Sequence, residues 1–219
     1  MGEMRRDMDE ELHDALKALP LLPLPGTVFF PNTILPIHVC DNEHIDMLDE
    51  VLKVSRWLGV VLWPAGKTTP QRVGQVAKIV QHSRASNGRY DLVLQGMGRV
   101  ELEELMSGAP PALLRSRCRL LVSQDEDAHQ IATELRAFHA CYQRFLELCP
   151  EQPDLLAEIC SGVQEPDMLA DMVCAALLED VQLRQLALEE CSCIRRLQLV
   201  GDALSRQVLK KLDEEGPIH

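Results

Sequence analysis

Residues 19–26 read LPLLPLPG, and this stretch decides what kind of fold the first half of the chain can adopt. Three prolines within eight residues exclude a helix interior, because proline lacks the backbone N–H donor and its ring clashes with the preceding turn. An extended strand remains as the structure for so apolar a run. We predict an edge strand, where proline is tolerated, followed by a turn at Pro25-Gly26.

The residues after this strand predict a β-rich half that contains one helix. In chain order, the patterns indicate extended segments at 28–31 and 34–39, a helix near 42–55 with Asp41 as N-cap, a buried strand at 57–63, hairpin strands at 73–83 and 90–94, a strand over 100–105 and a last strand over 112–122. The hairpin has the clearest signal, because Asn87-Gly88 is a strong two-residue turn signature between two alternating runs.

From Ser123 onward the pattern becomes helical. Ser123 and Glu126 have the spacing of a capping box, in which each side chain bonds to a free N–H of the first helical turn. Apolar residues then repeat at helical spacing at Ile131, Leu135, Phe138, Tyr142 and Phe145. The remaining patterns predict a short helix near 154–161, a helix that Pro166 begins at its first position, and one long helix over 182–213.

These elements predict an α+β chain with a β-rich first half and a helical second half. Residues 1–18 form a polar leader, residues 19–122 a β-rich subdomain with one inserted helix, and residues 123–215 a helical subdomain. The charge divides at the same place. Residues 1–122 carry 14 Lys and Arg against 15 Asp and Glu, whereas residues 123–219 carry 8 against 19.

This charge distribution argues against two classes of partner. The chain has a formal net charge of -12, and most of the excess lies in the helical half. Binding to nucleic acid or to an anionic membrane surface needs clustered cations. We therefore expect neither partner.

The sequence contains no segment that predicts secretion or insertion into a membrane. No apolar segment suits a signal peptide, and the most apolar stretch, Trp57 to Ala65, is far shorter than the roughly 20 residues of a membrane span. The eight cysteines contain no C-x-x-C pair. We expect a cytoplasmic protein whose cysteines are reduced and mostly buried.

No motif predicts catalysis, a cofactor or a metal ion. Gly66-Lys67-Thr68 lacks the first glycine of a phosphate-binding loop, and no G-x-S-x-G nucleophile motif occurs. The closest pairs of metal ligands, His38 with Cys40 and Cys191 with Cys193, lack the second pair that zinc sites use. The alternating Arg115, Arg117 and Arg119 are interpreted as a solvated strand face.

Several motifs, taken in order, resemble the N-terminal domain of Lon proteases. They are LPLLPL at 19–24, VFFP at 28–31, LPI at 35–37, VGQVA at 73–77, LQGMGR at 94–99, EPDMLAD at 165–171 and LEE at 188–190, with Arg195 or Arg196 at the arginine of the closing helix. The family pattern places an aspartate near Cys191–Ile194, and this chain has none there. The resemblance covers about residues 18–212.

The resemblance implies a PUA-like β pseudo-barrel followed by an α-helical bundle, and a role in binding unfolded or damaged polypeptide. Lon proteases continue into an ATPase domain and a Ser–Lys protease domain, and this chain ends at His219. We therefore expect a free-standing module that is not an enzyme, binds no cofactor or metal, and acts in protein quality control with a Lon-type protease among its candidate partners.

An apolar groove with a polar rim suits unfolded segments, which expose apolar side chains. We expect Phe29, Phe30, Leu35 and Trp63 to form it. The alternative function is that of an interaction protein for one dedicated folded partner, or self-association, through the acidic helical half. A hydrolase, or RNA binding through the PUA-like half, is less favoured, and the oligomeric state is left open.

Overall fold

The computed structural model describes residues 2–107, 114–148, 162–163 and 165–215. The chain divides into two compact units, residues 1–121 and 122–219. The sequence-based division after residue 122 differs from this boundary by one residue. The predicted short helix near 154–161 lies outside the described residues.

The first unit contains six strands and two helices within the described residues. In chain order they are α1 (Gly2–Leu16), β1 (Leu19–Leu24), β2 (Ile34–Val39), α2 (Asn42–Val54), β3 (Trp57–Leu62), β4 (Val73–Arg84), β5 (Tyr90–Ser107) and β6 (Leu114–Leu120). The predicted hairpin is confirmed, with Gly88 in the left-handed region at φ 84° in the turn between β4 and β5. Asp41 is the N-cap residue of α2, as predicted, although its side chain makes no capping bond.

The six strands form one sheet that closes on itself. The order is β2-β5-β4-β3-β1-β6, and β5 also pairs with β6. Closure is possible because β5 is 18 residues long. Its first part, Tyr90 to Gln95, pairs with β2, and its second part, Val100 to Ser107, pairs with β6. The α+β class and the β barrel with one inserted helix agree with the prediction.

Two strand predictions are wrong. β1 is not an edge strand, because it lies between β3 and β6. Its prolines are tolerated there since β1 pairs with each neighbour over only part of its length, with β6 at 19–20 and with β3 at 21–24. The strand predicted over 100–105 is also not separate, because β5 continues through Gly96 and Gly98 without a break.

The apolar runs of β1 and β3 are explained by burial on both faces. Consecutive residues of β3 belong to two different core clusters, Leu58 and Val60 to one and Trp57 and Val61 to the other. The first cluster includes the buried residues of α2, and α1 packs against the second through Leu12, Ala15 and Leu16. The residues predicted as a polar leader therefore cover part of the core.

The segment between β1 and β2 crosses β5 at Gly96. The Asn32 N–H donates to the Gly96 carbonyl oxygen (2.9 Å), and the Gly96 N–H donates to the Thr33 carbonyl oxygen (3.0 Å). A Cβ added at Gly96 would overlap the Phe30 carbonyl oxygen. The close approach of these two backbones therefore requires glycine at this position.

The second unit contains four helices within the described residues: α3 (Ala128–Leu148), α4 (Pro166–Leu177), α5 (Val181–Glu189) and α6 (Cys193–Glu215). The apolar stripe of α3 is confirmed, because Phe138, Tyr142 and Phe145 are buried. Pro166 lies in the first turn of α4, as predicted. None of the helices in the described ranges is both long enough and apolar enough to cross a membrane.

The predicted capping box at Ser123 and Glu126 is wrong. Asp127 caps α3 instead, since its carboxylate accepts from the Gln130 N–H (2.9 Å). The Glu126 carboxylate accepts from the Ser192 hydroxyl (2.7 Å) and from the Cys193 N–H (2.6 Å). Glu126 therefore caps the N-terminus of α6, which lies far from Glu126 in the sequence.

The single long helix predicted over 182–213 is also wrong, because it is interrupted between Glu189 and Cys193. Ser192 begins the second part, with its hydroxyl oxygen accepting from the Arg195 N–H (3.1 Å). Ser192 lies in the segment where the family pattern led us to expect aspartate, and serine and aspartate serve equally well as N-caps. The missing aspartate therefore leaves the helix start intact.

A buried ion network joins α4 to α6. The Arg196 guanidinium is fully buried and donates to the carboxylates of Asp167 (2.6 Å) and Asp171 (3.3 Å). Asp171 is itself buried, and Asp167 also accepts from the Ser123 hydroxyl (3.0 Å). All but Ser123 of these residues lie in the motifs that carry the family resemblance.

We predict that Gly96→Ala lowers the free energy of unfolding of the first unit by about 2 to 3 kcal/mol, because the Phe30 backbone must move away. Urea unfolding followed by tryptophan fluorescence measures this, since both tryptophans lie in the first unit. Gly98→Ala is the matched control, because a Cβ there would make only ordinary contacts, the nearest at 3.6 Å. Equal unfolding midpoints for the two variants would contradict the close approach of the Phe30 backbone to Gly96.

We predict that Arg196→Met destabilises the second unit by about 3 kcal/mol or more, because it leaves the buried Asp171 carboxylate without the guanidinium charge. Thermal and urea unfolding followed by circular dichroism at 222 nm measure the change. Arg206→Met, on the exposed face of the same helix, is the control and should change stability by less than about 0.5 kcal/mol. A loss as small as the control's would show that the network contributes little.

Candidate functional site

An apolar groove of about 440 Å³ lies on the first unit beside the C-terminal end of β1. It is lined by Leu21, Pro23, Pro25, Glu43, His44, Met47, Trp63 and Leu114. Its volume falls within the range of about 300 to 1,000 Å³ that is typical of ligand pockets. We call it the Trp63 groove.

The local backbone holds the Trp63 side chain in one orientation. Trp63 follows directly after β3, and its backbone N–H donates to the Leu24 carbonyl oxygen (3.2 Å). Its indole Nε1–H donates to the Lys67 carbonyl oxygen (2.9 Å) across a turn that contains Gly66 at φ 72°. With its polar atom satisfied, the partly exposed indole ring is suited to apolar contact.

The groove combines an apolar interior with a polar rim. Leu21 and Met47 are 1% and 2% exposed, so they belong to the core and contribute only a small surface to the floor. Glu43 and His44, at the start of α2, supply the polar side, and His44 Nδ1 lies 3.5 Å from Asp41 Oδ2. This arrangement can hold apolar side chains, while the rim contacts water or a polar backbone.

The four residues predicted to bind a partner do not form one surface. Trp63 lines the groove. Leu35, on β2, is partly buried against the core cluster that contains Phe29, and Phe29 and Phe30 are 5% and 0% exposed. Phe29 and Phe30 are therefore interior residues in this structure.

Sequence reasoning missed the other wall of the groove. The sequence patterns assign Pro23 to a strand, Pro25 to a turn and Met47 to a helix, and none of them to a binding surface. Proline at a strand end next to tryptophan is a weak signal of an apolar binding surface. Pro25 and Trp63 come to line one groove only in the tertiary structure, because they follow the ends of the parallel strands β1 and β3.

The cysteines of the described residues are free thiols. Burial raises the pKa of Cys118 to about 11. Burial, together with the nearby Asp167 carboxylate, raises the pKa of Cys193 to about 12. Both remain protonated at neutral pH, which makes them poor nucleophiles. Within the described ranges, no three His, Cys, Asp or Glu side chains form a cluster that could hold a metal ion.

A closed PUA-like barrel followed by a helical unit defines the fold class. Solved structures share this fold. The N-terminal domain of a Mycobacterium avium complex Lon protease matches with a TM-score of 0.67 at 23% identity, over 86% of this chain and 98% of that one. The Lon N-terminal domain protein from Xanthomonas campestris matches with a TM-score of 0.59 at 17% identity, over 83% and 95%.

The family model of the ATP-dependent protease La (LON) substrate-binding domain matches residues 18–206, and the chain belongs to this family. Curated relatives include a Lon protease of Roseiflexus castenholzii, 29% identical over 89% of this chain, and Lon protease 2 of Myxococcus xanthus, 28% identical over 89%. The chain spans about a quarter of the length of these relatives, 25% and 24% respectively.

The residues that carry the family likeness have structural roles. Gly96 admits the crossing segment, and a Cβ at Gly74 would lie 2.7 Å from the Val60 carbonyl oxygen. Asp167, Asp171 and Arg196 form the buried network between α4 and α6. Family membership therefore accounts for the fold, and these motif residues do not line the Trp63 groove.

Proposed function

We propose that this protein binds unfolded or damaged polypeptide through the Trp63 groove, without a catalytic step of its own, as part of protein quality control in the cytoplasm. The observation that carries the proposal is an apolar groove with a polar rim on a domain whose family is described as substrate-binding. A Lon-type protease is the first partner to test.

The chemistry of the groove supports an extended apolar client. Unfolded chains expose apolar side chains beside a polar backbone, and the groove offers an indole face and two prolines beside Glu43 and His44. Burying one large apolar side chain contributes about 1.5 to 3 kcal/mol, which gives weak binding for a single contact. Such modest affinity suits a module that binds many clients.

A specific observation favours the alternative, an interaction through the helical unit. Leu209 and Leu212 on α6 are 60% and 42% exposed and lie about one turn apart. Neighbouring exposed leucines on a helix are typical of a contact surface for another protein, a second copy of this chain included.

We predict that the protein binds a permanently unfolded probe, reduced and carboxymethylated α-lactalbumin labelled with a fluorophore, in a saturable way without nucleotide. Trp63→Ala should weaken this binding at least about fivefold, because the indole contact is lost. Fluorescence anisotropy measures the affinity. Val80→Ala is the control. Val80 lies elsewhere on the first unit and is 46% exposed, so shortening its side chain should leave the affinity unchanged.

Thermal unfolding has to show that the Trp63 variant remains folded. Unchanged binding by a folded Trp63→Ala variant would place the client elsewhere. No binding by the unaltered protein up to about 1 mM, which corresponds to about −4 kcal/mol, would reject the proposal and leave the dedicated folded partner.

We predict that, if the alternative holds, sedimentation velocity shows a concentration-dependent increase in mass that Leu209→Glu abolishes, because a charge opposes burial of this helix face. Leu186→Glu on α5, at a residue that is 51% exposed, is the control. A mass equal to that of one chain over the whole concentration range would exclude self-association.

A further inference from the structure

A second groove, separate from the Trp63 groove, lies between α1 and α2 and has a volume of about 340 Å³. Its floor is apolar and includes Ala15, Pro20 and Val51. Val54, at the end of α2, also lines it and is 77% exposed, whereas Val51, one turn earlier, is 3% exposed. The described first unit thus presents an exposed valine at the edge of a concave apolar surface.

The rim of this second groove is acidic. Glu11, Asp14 and Glu50 line it, with side chains that are 55%, 76% and 50% exposed. Each is held in place by one cation, Lys78, Lys17 and Arg115 respectively, at 2.9, 2.7 and 2.6 Å. A carboxylate accepts up to about four hydrogen bonds, so each retains capacity for a further donor.

The one cation among the groove's lining residues is already engaged. The Arg115 guanidinium donates to Glu50 (2.6 Å) and to the Ala18 carbonyl oxygen (3.1 Å). Hydrogen bonds and charge from Lys78 and Lys17 lower the pKa values of Glu11 and Asp14 from their usual range. These two carboxylates are therefore ionised at neutral pH, and each can still accept a hydrogen bond from a further cationic donor.

One wall of this groove lies outside the matched family domain. The match begins at residue 18, whereas Glu11, Asp14 and Ala15 lie upstream of it. The same helix covers part of the barrel core through Leu16, which is 7% exposed. Helix α1 therefore both covers the core and forms one wall of the groove.

We propose that the groove between α1 and α2 is a second binding site, which takes a short polypeptide segment with an apolar side chain next to lysine or arginine. The apolar side chain would lie against Val54 and Val51, and the cation would lie at Glu11, Asp14 or Glu50. A second copy of this chain fits less well, because its net charge of -12 opposes approach to an acidic rim.

The test is a titration of the 219-residue chain into two labelled peptides at low ionic strength, GSKVLKSG and the charge-reversed GSEVLESG. The basic peptide should bind at least about tenfold more tightly, and added salt should weaken its binding, because the charge attraction is screened. Equal affinities for the two peptides, or no binding of GSKVLKSG at 1 mM, which is about the weakest affinity that such a titration detects, would overturn the proposal.

Two variants locate the site. Val54→Ser should weaken binding of GSKVLKSG about threefold or more through lost apolar contact. Asp14→Asn should weaken it about two- to fivefold, the range expected for an exposed ion pair. Both residues are largely exposed, so neither change should affect folding, which thermal unfolding checks. Val80→Ser and Asp9→Asn, exposed residues outside the groove, are the matched controls.

The Trp63→Ala variant separates this proposal from the function proposed above. It should bind GSKVLKSG with unchanged affinity. If Val54→Ser and Asp14→Asn bind the basic peptide as tightly as the controls do, the second site is rejected, whatever the result with the unfolded probe. If Trp63→Ala alone abolishes binding of the basic peptide, both ligands use one groove.

Discussion

The structure of the first unit depends on burying both faces of the parallel pair β1 and β3. All six residues of β3 are buried, and four of them divide between two core clusters, Leu58 and Val60 in one and Trp57 and Val61 in the other. Parallel strands need a long crossover connection, usually through a helix, and that helix then covers one face of the pair. Here α2 lies between β1 and β3 in the chain and covers one face, while the closed barrel and α1 complete the other.

Both candidate grooves follow from this arrangement. β1 and β3 run in parallel, so their C-terminal ends lie together, and the residues that end them, Pro25 and Trp63, meet beside the start of α2. At the other end of α2, Val54 and Glu50 meet α1, which approaches the same strands from upstream. One helix, needed to cover the parallel pair, thus forms a wall of both candidate grooves.

The residues of this chain that lie in the family motifs serve backbone approach and buried charge. Gly74 and Gly96 allow neighbouring backbones to come close, and Arg196 compensates the charge of Asp171 in the interior of the helical unit. A changed glycine or a lost partner in such a network costs stability wherever the domain is used. Partly exposed groove residues such as Trp63 make fewer interior contacts, so changing them costs less stability.

The sequence by itself determined the elements whose signal is local. Alternation on either side of Asn87-Gly88 indicated the hairpin, and helical spacing indicated α3, because these patterns depend on neighbours within a few residues. The resemblance to the Lon N-terminal domain supplied the closed barrel.

Only the tertiary structure decided which residues meet across long separations in the chain. It placed β1 between two partners, assigned Glu126 to the start of α6 rather than to α3, and buried Phe29 and Phe30 while leaving Trp63 at a groove. An apolar side chain has the same local pattern whether it faces a core or a client. Its exposure is set by strand pairing and helix packing between residues distant in sequence, which no local pattern contains.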